Sequence, residues 1–137
     1  MRKITSLVLF CFILLFLSAC QNNQNSKYPM YGRDTYKAFG DGRFAILISE
    51  KYAYNSPEYN PNTNTVYSLF DQENQQTIEI SVYKYKEIES YLYIVGESGY
   101  TLVNYISGQI EQHNIIDKFS QDVSKIFKDE SNYRIIP

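Results

Sequence analysis

Few residues in this chain are equipped for chemistry. His113 is the only histidine among 137 residues. A Ser-His-Asp triad would need it beside an activated serine, yet no serine sits in a strand-turn-helix elbow, and His113 falls near a predicted strand end. Zinc takes three or four His, Cys or carboxylate ligands, which one histidine cannot anchor. Glu87 and Glu89 could serve as a glycosidase acid pair only if held about 5–10 Å apart across a cleft. Fifteen acidic residues offer such pairs by chance. "DQENQQ" opens like a calcium loop but lacks the glycine and terminal glutamate of an EF-hand. "GDGRF" lacks the lysine and following helix of a phosphate loop. The sequence therefore predicts no catalytic residue, no metal site and no cofactor.

Cys20 is different, because of what precedes it. Arg2 and Lys3 give a positive start, and Leu7 to Leu17 is an unbroken apolar run of eleven residues. A membrane-spanning helix needs about 20 such residues. Eleven suit the apolar region of a secretory signal peptide, and the small residues Ser18 and Ala19 suit its cleavage site. Leu17-Ser18-Ala19-Cys20 resembles the lipobox of bacterial lipoprotein signal peptides. The resemblance covers the first twenty residues only. It implies a diacylglyceryl group on the Cys20 thiol and cleavage between Ala19 and Cys20. Each buried methylene contributes about 0.8 kcal/mol; one chain binds marginally, whereas two or three on one residue hold a soluble domain at a bilayer. Cys11 leaves with the leader, so the mature chain keeps no thiol for a disulfide, a metal or a nucleophile.

Three segments follow from this reading: a signal peptide over 1–19, a lipidated polar tether over 20–35 and one domain over 36–137. The tether, beginning "QNNQNSK", has no apolar periodicity. Without Arg2 and Lys3 the mature chain carries eleven basic and fifteen acidic residues, a formal charge of −4. That is a poor footprint for nucleic acid and offers no polybasic patch for anionic lipid. All fourteen tyrosines lie in the mature part and tryptophan is absent. Tyrosine favours strands and contact surfaces, where the ring packs and the hydroxyl reaches water.

The pattern predicts a mainly β fold: an antiparallel meander, as sheet, small sandwich or barrel, with one short C-terminal helix. "RFAILIS" (43–49) reads as a strand with both faces covered. "TVYSLF" (65–70), "TIEISVY" (77–83), "YLYIVG" (91–96), "YTLVNYI" (100–106) and "QIEQHNI" (109–115) read as further strands. "KYKEIES" (84–90) reads as a polar connection, and "YPMYGRDTYKAFGDG" (28–42) gives no clear signal beyond its turns. Ile116, Phe119, Val123, Ile126 and Phe127 form an apolar helical stripe, with Ser120 as cap and a helix over about 120–129. "NYRIIP" reads as an edge strand or docked tail. "VYSLFDQENQQTIEI" and "GYTLVNYISGQIEQH" echo each other at a spacing of about 32 to 33 residues. The second, extended back to Tyr91, is similar to a β-propeller blade, though the chain is too short to close a ring.

The long loop "EKYAYNSPEYNPNTN" carries Tyr52, Tyr54 and Tyr59 and is the expected contact surface, since long loops in small domains are often functional. The function expected is a non-catalytic binding or accessory module, similar in layout to exclusion or immunity lipoproteins. It would be held to the membrane through Cys20 on the extracytoplasmic face of the cell membrane, or of an outer membrane in a cell that has one. Its partner would be an envelope protein. An envelope hydrolase with paired carboxylates and a structural envelope subunit are the alternatives.

Overall fold

The computed structural model describes Lys27, Tyr28, Gly32 and residues 34–137. The leader, the Leu17–Cys20 motif and most of the tether lie outside the described residues. The fold is mainly β, in two antiparallel sheets. The first contains β1 (Thr35–Phe39), β2 (Phe44–Glu50), β3 (Thr65–Asp71) and β4 (Gln76–Glu79) in chain order. The second contains β5 (Val82–Ile88), β6 (Tyr91–Gly96), β7 (Gly99–Asn104) and β8 (Gln109–His113), with β9 (Arg134–Ile135) added beside β5. Each sheet is thus built on a four-stranded meander, and neither closes into a barrel. The echoing segments occupy the same place in the two meanders, as β3–β4 and β7–β8. Leu69 lies opposite Glu79 in one, and Leu102 opposite Glu111 in the other.

Alternation along the strands builds two apolar layers. Phe44, Ile46 and Leu69 of the first sheet meet Tyr85, Leu92, Ile94 and Val103 of the second. On the opposite face of the second sheet, Tyr93 and Leu102 receive Phe119 and Phe127, with Val123 and Ile126 alongside. The second sheet is therefore covered on both sides, which accounts for the near-continuous apolar run of β6. The helix, α1 (Gln121–Lys128), starts as the sequence predicts: Ser120 caps it by accepting the Val123 N–H. Ile116 belongs to a preceding 3-10 turn rather than to α1, yet joins the same apolar layer. Fully burying each such side chain contributes about 1.5–3 kcal/mol.

Two segments depart from the sequence pattern. The single strand expected over 77–83 is two strands in different sheets, and Ile80 at the crossing is exposed. Period-two alternation cannot register a change of sheet, because Ile78 and Val82 both still reach the core. The expected polar connection over 84–90 is mostly β5, with Lys86 only 2% exposed. The Lys86 ammonium donates to the carbonyls of Ile126 and Asp129, each at 2.6 Å, and lies 4.3 Å from the Tyr133 ring centroid. A cation at a helix C-terminus satisfies carbonyls that have no partner within the helix. Tyr133 in turn donates to the carbonyl of Phe127.

The sheets share two poles. At one, the β1–β2, β3–β4, β5–β6 and β7–β8 turns converge. At the other lie the β2–β3 loop, the 80–81 crossing and the β6–β7 turn. The first pole is held by Arg43, whose guanidinium makes a bidentate bond to the fully buried carboxylate of Asp71 at 3.0 and 2.9 Å. Asp71 also accepts from the Glu73 N–H and the Asn74 amide. Gly108 and Gly40, both at positive φ, permit close packing across the sheets. A Cβ on Gly108 would strike Arg43 at 2.1 Å, and one on Gly40 would strike Tyr105 at 2.7 Å.

Burial alone would raise the Asp71 pKa, but Arg43 and Asn74 outweigh it and hold the carboxyl below its ordinary 3.8. A lowered native pKa gives stability that is present above the unfolded value and lost as pH falls through the folded one. Asp71→Asn should cost about 3 kcal/mol at neutral pH and flatten the acid limb below about pH 4, as read by urea midpoints across pH. Burial likewise pulls the Lys86 pKa below 10.5. Lys86→Met should cost about 2–3 kcal/mol by orphaning two carbonyls, seen as a lower Tm with reduced helical circular dichroism.

Candidate functional site

The loop between β2 and β3 is not structureless. Three consecutive turns brace it, with Ser56 N–H donating to Ala53 O, Tyr59 N–H to Ser56 O and Thr63 N–H to Asn60 O. Its base is clasped by buried Asn64. The side-chain oxygen accepts the Tyr52 N–H and the amide donates to the Tyr52 carbonyl, both at 2.8 Å. Asn and Asp close backbone turns in this way because a short amide mimics a peptide group. The loop brings Tyr54 and Tyr59 together, with ring centroids 5.1 Å apart and planes tilted by 60°. Tyr54 is 82% exposed and Tyr59 half-buried beneath it. Tyr52 stands apart at the loop base, with the Lys51 ammonium 5.7 Å from its ring. Ser56 and Glu58 bond to each other across the middle of the loop. Such a surface offers aromatic faces, a cation and a carboxylate at low conformational cost, which suits contact with another chain.

Most other tyrosines have structural work. Tyr36 packs edge-on against Tyr67 at 5.4 Å and Tyr85 at 6.4 Å between the sheets. Tyr93 meets Phe127 at 5.1 Å under the helix. Composition could not separate these from the loop tyrosines, because the residue type is the same and only the packing differs.

The remaining candidates are spread apart. His113 ends β8, 2.9 Å from Glu111, with its ring edge-on to Phe119. Glu87 lies on β5 and accepts from Lys37 at 2.8 Å and from the Tyr105 hydroxyl at 3.1 Å. The Lys37 bond, helped by Tyr105, lowers its pKa against the effect of burial. Glu89 lies beyond the end of β5, in the β5–β6 turn, at positive φ. Asp71, the first residue of "DQENQQ", is occupied by Arg43. Among the described residues no group of three or more His, Cys, Asp or Glu could hold a metal ion. Cys20 lies outside the described residues.

Two features were invisible in the sequence. One is a cleft of about 630 Å³ where α1 leaves part of the second sheet uncovered, lined by Tyr91, Tyr93, Leu102, Ile110, Val123 and Ile126 with Glu111 and Asp122 among its polar lining. The amphipathic stripe foretold that the helix packs on the sheet, but not how much of the sheet it covers. The other is Glu79, a wholly buried carboxylate that accepts from the N–H groups of Ser81 and Ser98, the Ser98 hydroxyl and the Gln112 amide. Nothing in the local sequence around Glu79 signals these partners, which lie as far along the chain as Ser98 and Gln112.

Replacing Asn64 by Ala should cost about 1–3 kcal/mol through the orphaned Tyr52 backbone groups. The same change should open 53–63 to limited proteolysis while leaving the two sheets protected from hydrogen exchange. Unchanged cleavage would show that the loop does not depend on the clasp. Comparison with protein families, curated proteins and solved structures finds no match to this chain.

Proposed function

We propose that this protein is a lipid-anchored, extracytoplasmic envelope protein that binds a protein partner through its β2–β3 loop and carries out no catalysis. The anchor is Cys20, supported by the leader and the Leu17-Ser18-Ala19-Cys20 motif. Among the described residues no helix is long and apolar enough to cross a membrane; on this reading the attachment is lipid on Cys20.

The observation that carries the binding role is the Tyr54–Tyr59 pair on a self-braced loop. An exposed aromatic costs solvation, and this one sits on a scaffold that already fixes its backbone. Pre-ordering of this kind reduces the entropy lost on association. The loop also stands at the pole opposite Lys27, the first described residue of the tether, so it projects away from the attachment point.

Cys20→Ser should move the protein from the membrane to the soluble fraction. A photo-crosslinking residue at Tyr54 should give one discrete adduct in intact cells, and one at Asp122 on the cleft should give none. A discrete adduct at Asp122 with none at Tyr54 would place the contact on the helix side and overturn the loop as the binding surface.

A further inference from the structure

We infer that the pole bearing the β5–β6 and β7–β8 turns rests on the bilayer, with Ile106 as its apolar contact, so that the domain is oriented rather than merely tethered. This rests on Cys20 carrying lipid.

Three observations lead there. The first is where the chain joins the domain. Lys27 pairs with Glu73 at 3.2 Å in the β3–β4 turn, and Glu73 pairs with Arg43, which is fixed on buried Asp71. Tyr28 adds to this cluster: both Lys27 and Tyr28 hold the Glu73 carboxyl below its ordinary pKa. Only seven peptide steps separate Cys20 from Lys27, a reach of at most about 25 Å. The lipid is thereby confined to this end of the molecule.

The second is what this end exposes. Ile106, at the β7–β8 tip, is 80% exposed, among the most exposed large apolar side chains described. Its backbone is set by Asn104, whose side-chain oxygen accepts the N–H groups of both Ile106 and Ser107. Ile88 and Tyr91 lie opposite each other at the neighbouring β5–β6 turn and are also exposed. The Tyr105 N–H bonds the Ser90 carbonyl, joining the two turns into one edge.

The third is physical. One isoleucine tip would not hold a free domain at a bilayer. Once acyl chains supply attachment, the tip contact becomes intramolecular, and a weak contact suffices to set orientation. Tyrosine and isoleucine at adjacent turns match an interface where rings sit at head-group level and aliphatic tips reach deeper. The charge at this pole is mixed, Lys27, Lys37 and Arg43 facing Glu73 and Glu87, so apolar contact rather than lipid charge selects it.

The test uses lipidated protein in vesicles of equimolar phosphatidylcholine and phosphatidylglycerol, with a fluorophore on Ser107→Cys or Ser56→Cys. Brominated lipid should quench the label at 107 several-fold more than at 56, and aqueous iodide should show the reverse order. Ile106→Asp should remove most of the lipid quenching at 107 while the protein still floats with vesicles. Glu73→Lys, which repels both Lys27 and Arg43, should lower it too, with native circular dichroism retained. Equal iodide access at both positions in floating protein overturns the orientation and leaves the anchor standing. Protein that fails to float overturns the anchor itself, and the orientation with it.

Discussion

The bidentate bond between Arg43 and Asp71 is the interaction on which the architecture depends. Asp71 has no exposure, and a carboxylate in that position is tolerable only with a matched cation and filled lone pairs. The fork geometry of a guanidinium provides the match where an ammonium could not. Its other consequences are spatial. Arg43 joins the β1–β2 turn to the end of β3, lies against Gly108 of the second sheet, and reaches Glu73, which receives Lys27. One charge pair thus sets how the two meanders meet and where the preceding chain joins them.

The second sheet solves a different problem, since both its faces are apolar. The first sheet covers one face and α1 the other, but an eight-residue helix is too short to be stable alone. Lys86 and Tyr133 secure its C-terminal end, while Phe127 fills the space among Tyr93, Tyr100 and Phe119. The helix spans only part of the sheet, and the cleft beside it follows from that shortfall.

What the sequence disclosed tracks how local each signal is. Strand alternation, glycine turns and the Ser120 cap act within a few residues, and the mainly β fold with its late helix was legible from them. The "NYRIIP" tail also returns as an edge strand, β9 on β5. The misread segments depend on partners far along the chain. Lys86 can be buried only because carbonyls forty residues away receive it. The break at Ile80–Ser81 exists because the next strand pairs with β6 rather than β3. At the tyrosine loop, richness in Asn and Pro marked a loop. The Asn64 clasp and the Tyr54–Tyr59 contact that give it shape needed three dimensions.

The proposed account is one of polarity, with lipid at one end and an aromatic loop at the other, and it stands on the fate of a single thiol. The most direct measurement is the mass of the N-terminal peptide from protein extracted from its own membranes. The account predicts a peptide that begins at Cys20 and carries a diacylglyceryl thioether. A peptide beginning at Met1, or a Cys20 thiol without lipid, would contradict it.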